Sequence, residues 1–259
     1  MWVLETVAVA FSMYSALPMP QLAWNERNMR YALAVFPLVG AVLGLGWWGV
    51  CALCAALGLP ELLRGALLCV LPAVVTGGIH LDGYADVADA LSSHASPERK
   101  QEILHDPHCG AFAVIRLCAY FVLCFALCCA WTPSARALGH MATCFVLSRA
   151  LSGLLLTCLP IAEGSSLART FASAADKRRV RAILTVVCAG CAVGTYLFGG
   201  WLICLATVCA ALAASAHYIR TAKRQFGGTS GDLAGWFLVK AEFWMLAAAV
   251  AVQYGEKLP

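Results

Sequence analysis

The chain has 259 residues, of which 61% are hydrophobic and only 12% are charged, and its mean hydropathy is +0.78. Because a soluble domain usually carries about 25% charged residues, this composition excludes an ordinary soluble domain and indicates an integral membrane protein. The net charge of +4 is modest. It is suited to contact with anionic lipid or phosphate, so we expect the bilayer as a partner and no nucleic acid.

Fourteen cysteines are present, and most of them fall inside apolar segments, where we expect them to pack as small hydrophobic residues. Cys51 and Cys54 have the spacing of half a zinc site. No second Cys or His pair follows at ligand spacing. The cysteines therefore favour neither a disulfide framework nor a zinc centre.

The first apolar stretch, residues 2–17, contains Glu5 and ends at Pro18. It is short for a transmembrane helix, so it is open to two interpretations, an interfacial or re-entrant helix and an eighth span.

Seven further apolar windows are long enough to cross about 30 Å of hydrocarbon at about 1.5 Å per residue. Backbone groups in lipid must be satisfied within their own segment, so these windows are expected to be helical. We therefore predict an all-α polytopic membrane bundle that forms a single domain over residues 1–259. The predicted spans are about 31–57, 62–79, 110–131, 137–160, 181–198, 200–219 and 235–254.

The basic residues between the predicted spans are distributed unevenly. One set of connections holds twelve Lys and Arg residues and the opposite set holds three, so the positive-inside rule places the first set in the cytoplasm. The larger set is Arg27, Arg30, Arg99, Lys100, Arg169, Lys177, Arg178, Arg179, Arg181, Arg220, Lys223 and Arg224, and the smaller set is Arg64, Arg136 and Lys257.

Three carboxylates follow the second of these spans. Asp82, Asp86 and Asp89 are spaced i, i+4 and i+7, so a helix would project them from one face. A solvated loop would explain their charge but not their spacing. Carboxylate oxygens are the ligands that Mg²⁺ prefers, usually together with water and substrate phosphate. The segment therefore predicts a metal and phosphate site, with His80 as a base, a phosphate contact or a locally satisfied polar residue.

Glycines accompany this acidic segment and a second one. Gly77 and Gly78 precede His80, and residues 226–232 contain Gly228, Gly231 and Asp232 immediately before the last span. Glycines let a backbone approach a ligand closely, and the amides at a helix start can bind phosphate. Both segments fall on the predicted cytoplasmic side. We therefore expect one site, in which the four glycines contact the ligand and Asp232 adds a further metal ligand.

A third element, residues 106–112, precedes the following span, and Asp106 is open to two interpretations, a functional role and the cap of that span. Arg149, Arg116 and Lys240 lie inside predicted spans, where charges usually face the bundle interior. Arg149 has two interpretations, neutralisation of a diphosphate and a structural pair with Glu242. Lys240 lies nearer the start of its helix, which allows its amine to snorkel.

Taken together, the pattern Gly-Gly-x-His-Leu-Asp-Gly-x-Ala-Asp-x-x-Asp at 77–89, the stretch 106–112 and Gly-Thr-Ser-Gly-Asp at 228–232 resemble the cobalamin synthase family, also called adenosylcobinamide-GDP ribazoletransferase. The likeness covers most of the chain, including the end of the N-terminal segment and the helix of Arg149. Two positions depart from the family pattern, Ala113 and the charged Arg116.

This resemblance implies a late step of coenzyme B12 assembly at the bacterial cytoplasmic membrane. The implied reaction joins adenosylcobinamide-GDP to alpha-ribazole, or to its 5'-phosphate, and releases GMP with the help of Mg²⁺. Other cobalamin-assembly enzymes and a second copy of the chain are candidate partners. The implied metal ligands are Asp82, Asp86, Asp89 and Asp232, and the implied catalytic residues are His80, Asp82, Asp86 and Arg149.

Two other functions compete with this interpretation. A CDP-alcohol phosphotransferase uses a similar set of aspartates, but Asp82-Gly83 is not followed by the Ala-Arg of that family's pattern. An ion-coupled transporter also places carboxylates in a helical bundle, commonly near the midplane between repeated halves. No repeat is visible here, and release of GMP from a nucleotide-linked substrate would separate the enzyme from the transporter.

Overall fold

The computed structural model describes residues 2–106, 108–162, 165, 170 and 173–256. Pro107 of the third element, and Arg169 and Lys257 of the basic-residue count, lie outside the described residues. The described part of the chain contains ten helices and a single isolated β-bridge. In chain order the helices are α1 Trp2–Tyr14, α2 Glu26–Met29, α3 Ala32–Ala56, α4 Glu61–Thr76, α5 Ile79–Ser92, α6 Pro97–Leu104, α7 Ala111–Ala130, α8 Ala135–Cys158, α9 Lys177–Gln225 and α10 Gly231–Gly255.

The longest helix, α9, is a hairpin of two helices. Gly200 interrupts it with φ 74° and ψ −176°, a backbone conformation that is accessible mainly to glycine. The thiol of Cys204 lies 3.4 Å from the hydroxyl of Thr195 and 3.5 Å from the carbonyl of Ala192, so the two halves run back along each other. The two predicted spans 181–198 and 200–219 are therefore both helical.

Among the described residues, five helices are long and apolar enough to cross a membrane, namely α3, α7, α8, α9 and α10. The bent pair of α4 and α5 passes the same test when taken together, as a broken span or a re-entrant loop. Because α9 folds back on itself, it supplies two apolar segments. The predicted polytopic all-α membrane bundle is confirmed. The N-terminal helix α1 has 13 residues, a length of only about 20 Å at 1.5 Å per residue, so it is too short to span the hydrocarbon core alone.

The middle of the bundle is α8, of which 61% of the most apolar window is buried. It packs against α3 at a close approach, because a Cβ atom at Gly40 would collide with the backbone of Phe145. Trp47 fills the neighbouring space, with its ring 5.3 Å from Phe145 and 5.2 Å from Trp131. Small and large side chains thus alternate along this contact, which holds α8 and its buried Arg149 in a fixed position.

The break between α4 and α5 determines where the acidic segment lies. Gly77 and Gly78 both have positive φ, 64° and 80°, and the two helices meet at 95°. As a result α5 does not continue along α4 but packs against the first turns of α7 and α10. The end of the bundle at which α7 and α10 begin is called the site end below.

The short helix α6 holds the second glycine-rich segment in place. Gln101 donates a hydrogen bond of 2.7 Å to the carbonyl of Phe226, and Lys100 donates to the side chain of Gln225. Lys100 is buried although it is charged. These contacts fix the turn that leads into α10.

Candidate active site

The two acidic segments meet where α5 crosses the start of α10. A Cβ atom at Gly83 would lie 2.7 Å from the Cα and the carbonyl oxygen of Asp232, so only glycine allows this approach. Asp82 and Asp232 line the same cavity, which has a volume of about 130 Å³. The structure therefore brings together two segments that are 150 positions apart.

The floor of this cavity is the first turn of α10. Ser230 is the N-cap residue, and its hydroxyl accepts a hydrogen bond of 3.1 Å from the backbone N–H of Leu233. Gly231 follows it, lines the cavity and is exposed. Free N–H groups at a helix start favour a bound anion such as phosphate.

The other two carboxylates of α5 extend this acidic surface. The charges of Asp82, Asp232 and Asp89 act on Asp86. Asp89 lies against the start of α7, where a Cβ atom at Gly110 would collide with its carboxylate. The other three carboxylates of α5 and α10 thus lie close enough to Asp86 for their charges to act on it.

These carboxylates have no basic partner. In the described part of the chain, no Lys, Arg or His nitrogen lies within 4 Å of any of the four. Such a set of hard oxygen donors, without an ion pair to a basic side chain, fits a divalent cation of the Mg²⁺ type, although the charge of His105 acts on Asp232. Among the described residues no three such side chains already lie close enough to form a metal cage, so the ligand set stays a prediction.

His80 forms one wall of the cavity and is 9% exposed. Its ring packs 5.7 Å from that of Phe36, and its Nε2 atom is buried without a protein hydrogen-bond partner. A Cβ atom at Gly235 would lie 3.2 Å from the backbone of His80. A second glycine therefore permits the close packing of α5 on α10.

Arg149 lies behind His80 and is fully buried. Its Nη1 donates hydrogen bonds to the carbonyl of Phe145 at 2.9 Å and to the hydroxyl of Ser148 at 3.1 Å, and it pairs with the carboxylate of Glu242. Its Nε and Nη2 atoms have no protein partner. The ion pair with Glu242 that the sequence allowed is therefore present, and two of the three guanidinium nitrogens have no protein partner.

A second, smaller cavity separates Arg149 from the first. It has a volume of about 20 Å³ and is lined by His80, Arg149 and Glu242 among others, whereas Arg149 does not line the larger cavity. A cavity needs roughly 10–15 Å³ to hold one water molecule. The smaller cavity can thus hold a water but not a phosphate group. Arg149 therefore does not contact a group in the larger cavity, and its charge acts on His80, which lines both cavities.

Comparison with known proteins identifies the family of the chain. The family model described as cobalamin-5-phosphate synthase matches residues 6–250. The chain belongs to the cobalamin-5-phosphate synthase family. A relative from Lachnoclostridium phytofermentans, named adenosylcobinamide-GDP ribazoletransferase, is 40% identical over 97% of this chain and 95% of its own length.

More distant relatives carry the same name. One from Pseudomonas putida is 32% identical over 95% of this chain and 98% of its own length, and one from Clostridium perfringens is 29% identical over 92% and 94%. No solved structure matches the chain. This cobalamin-5-phosphate synthase family member is therefore a multi-pass membrane enzyme whose relatives share nearly its whole length.

Three of the four predicted ligand-contacting glycines of this family member lie away from the cavity. Gly77 and Gly78 form the helix break, and neither they nor Gly228 line the cavity. A Cβ atom at Gly228 would lie 2.6 Å from the backbone nitrogen of Ala162. These glycines are explained by backbone geometry, and Gly231 is the one of the four that lines the cavity.

The third sequence element needs a correction. Of the two interpretations of Asp106, the cap of the next span is wrong, because the N-cap of α7 is Gly110. Asp106 instead accepts hydrogen bonds from the backbone N–H and the ring of His108, at 2.9 and 2.8 Å, and these hydrogen bonds lower its pKa. The expectation that Arg116 faces the bundle interior is also wrong, because Arg116 is exposed on the outer surface.

Several residues that line the cavity were missed by sequence reasoning. They come from three helices that have no acidic or glycine-rich motif at those positions. Periodicity marked them only as apolar or small helix residues, and the contacts that bring them together are long-range. They are Met13 and Tyr14 of α1, Leu33 and Phe36 of α3, and Ser152, Gly153 and Leu156 of α8.

Replacing Gly83 with Ala should separate α5 from α10, because the new methyl group would overlap the backbone of Asp232. We expect a loss of about 1–3 kcal/mol of stability, the usual cost of overpacking, measured as a lower thermal unfolding midpoint of the purified protein in detergent. The matched control is Gly190→Ala in α9, where nothing lies within 4 Å. An unchanged midpoint for Gly83→Ala would contradict the close approach.

Proposed function

We propose that this enzyme joins adenosylcobinamide-GDP to alpha-ribazole, or to its 5'-phosphate, and releases GMP. The family membership and the names of the relatives support this reaction. The structural observation that carries it is the cavity that Asp82 and Asp232 line together at the start of α10. A carboxylate set next to helix N–H groups is suited to a metal-bound diphosphate.

Asp82, Asp86, Asp89 and Asp232 are the residues proposed to hold Mg²⁺. Their lack of ion pairs within the described residues and the effect of the other three charges on Asp86 support this assignment. When bound, the ion would neutralise charge on the diphosphate and on the departing GMP. Asp82 and Asp232 approach from different helices, so the metal site would depend on the contact between α5 and α10.

The transfer itself is an in-line displacement at phosphorus. A ribose hydroxyl of the ribazole attacks the phosphate attached to cobinamide, a new P–O bond forms, and the bond to GMP breaks. The hydroxyl proton passes to His80 or to one of the carboxylates, the two kinds of base that line the cavity. The first N–H groups of α10 bind phosphate oxygen and hold the reacting group in position.

The size of the cavity limits which part of the substrate it accepts. A volume of about 130 Å³ has room for a phosphate group but not for a ring system of corrinoid size. Apolar side chains of Tyr14 and Phe36 form its other walls. The diphosphate would therefore enter the cavity, and the corrinoid would remain outside it.

Arg149 is proposed to stabilise phosphate charge through its neighbour His80. Its positive charge acts on His80, and Glu242 pairs with Nη1 alone, so the Nε and Nη2 atoms stay without a protein partner. Charge effects of this kind are strong in a buried environment that excludes water. Arg149 therefore adds positive potential behind the cavity.

We also propose that the site end faces the cytoplasm of a bacterial inner membrane. The connections at this end carry most of the Lys and Arg residues, in agreement with the positive-inside rule. A cytoplasmic site would also receive nucleotide-linked substrates directly.

Replacing Asp82, Asp86 or Asp89 singly with Asn should reduce GMP release at least a hundredfold, because Asn keeps the shape but removes the charge that holds a metal. GMP formation by the purified variants, reconstituted with both substrates and Mg²⁺, measures this. Glu26→Gln is the control, since Glu26 is an exposed carboxylate of α2. Near-normal turnover in all three Asn variants would refute the metal assignment.

The pair of Arg149 and Glu242 allows a decisive double substitution. If Arg149 acts on the substrate phosphates, Arg149→Ala and Arg149→Lys should each lose at least tenfold in turnover, about 1.4 kcal/mol of transition-state stabilisation. Lysine keeps the charge but has a single nitrogen, so it loses the Nε and Nη2 donors that have no protein partner.

A purely structural pair predicts another result. Arg149→Ala would then accumulate poorly because Glu242 is left buried and unpaired. The double variant Arg149→Ala with Glu242→Gln would recover both accumulation and GMP release. Full activity in the double variant would rule out the electrostatic role.

Orientation can be measured by cysteine labelling. Ser93→Cys, at the site end, should react only with a membrane-permeable reagent, and Glu256→Cys, beyond α10, should react with an impermeant reagent from outside intact cells. Both positions are exposed. Labelling of Ser93→Cys by the impermeant reagent would reverse the proposed orientation. The background for both variants lacks the exposed native thiols Cys109, Cys118, Cys158 and Cys209.

A further inference from the structure

Lys240 and His217 lie against Trp236, away from the cavity, and Arg116 of a third helix lies near Lys240. The Nζ atom of Lys240 lies 4.4 Å from the centre of the Trp236 ring, and the ring of His217 lies 5.2 Å from it. Arg116 of α7 is close enough for its charge to act on Lys240. We call Arg116, His217 and Lys240 the basic patch.

The basic patch has no acidic partner within the described residues, where no Asp or Glu oxygen lies within 4 Å of its nitrogens. Arg220, one turn from His217, adds another positive charge. Like charges beside hydrocarbon repel each other strongly because the local dielectric is low. An anion bound between them would remove this repulsion.

The patch lies near the site end of the bundle. Arg116 and Trp236 are each five positions beyond the first residue of α7 and of α10, a depth of about 8 Å at 1.5 Å per residue. Lys240 covers a ring four positions earlier in its helix, so its amine points back toward the site end. Both cations therefore reach the level at which lipid headgroups begin.

The surroundings of the patch are apolar and face outward. Ile115 and Val114 beside Arg116 are 59% and 50% exposed, and Leu212 and Trp244 are 61% and 51% exposed. Arg116 and His217 are also exposed. An anion that binds here would therefore have apolar protein surface next to it, which acyl chains can cover but a free phosphate ion cannot.

We propose that the basic patch binds the phosphate of one anionic phospholipid, whose acyl chains lie along the exposed apolar side chains of α7, α9 and α10. Lys240 and Arg116 supply the charge, and the exposed ring of His217, which packs on the buried Trp236, forms the wall against which the headgroup rests. This site is separate from the carboxylate cavity and does not depend on the proposed reaction.

Native mass spectrometry of the delipidated protein in detergent tests this proposal. The probes are phosphatidylglycerol, phosphatidylcholine and inorganic phosphate, each added without substrate. We expect one phosphatidylglycerol molecule to bind in preference to phosphatidylcholine. The double variant Lys240→Gln with Arg116→Gln should lose this preference about tenfold, and Lys240→Arg should keep it.

The matched control removes two charges elsewhere. Lys177→Gln with Arg178→Gln changes two exposed residues at the start of α9 and should leave the preference unchanged. The single variant His217→Ala should weaken binding and provides an independent test if the double variant does not elute as a single species. An equal preference in wild type and patch variants, an equal loss in the control, or displacement of the lipid by inorganic phosphate would each overturn the proposal.

Discussion

Two consecutive glycines in the left-handed conformation set the geometry on which the rest of the site depends. Gly77 and Gly78 end α4 and turn the chain by 95°, which sends α5 across the starts of α7 and α10. A straight continuation would have carried the carboxylates along α4 and away from Asp232. The chain therefore uses a local backbone constraint to assemble an acidic surface from segments far apart in sequence.

Close packing at three glycines then brings α5 into contact with α10 and with the start of α7. Gly83 and Gly235 remove side-chain volume where α5 meets α10, and Gly110 does the same where Asp89 meets α7. Behind this layer, Arg149 and Glu242 form a buried ion pair that is hydrogen-bonded to α8 itself. A buried pair of this kind contributes little net stability, which is consistent with a role in the electrostatic potential at His80.

Much of the fold could be predicted from the sequence, because long apolar windows have few alternatives to helices in lipid. The i, i+4, i+7 spacing correctly indicated that Asp82, Asp86 and Asp89 share a helix, and the basic residues correctly grouped the two acidic segments at one end. The glycines were harder to interpret. The residue type alone does not distinguish a helix break at Gly77 or loop packing at Gly228 from contact with a ligand.

Other features depended on tertiary contacts that no local pattern encodes. Tyr14, Phe36 and Ser152 resemble ordinary helix residues in sequence, yet three separate helices bring them to one cavity. Arg116 was expected inside the bundle because isolated charges in spans usually face inward. It is instead exposed on the outer surface, near Lys240 of the basic patch. Asp106 resembled a helix cap, although the chain begins α7 at Gly110 and uses Asp106 within its own turn.

The central claim is that α5 and α10 hold a divalent cation and a substrate diphosphate between them. A structure of the nanodisc-reconstituted protein with Mn²⁺ and adenosylcobinamide-GDP tests it most directly. We expect metal density coordinated by carboxylates of both Asp82 and Asp232, with the diphosphate at the start of α10. Metal bound by neither helix, or a diphosphate bound outside the cavity, would contradict it.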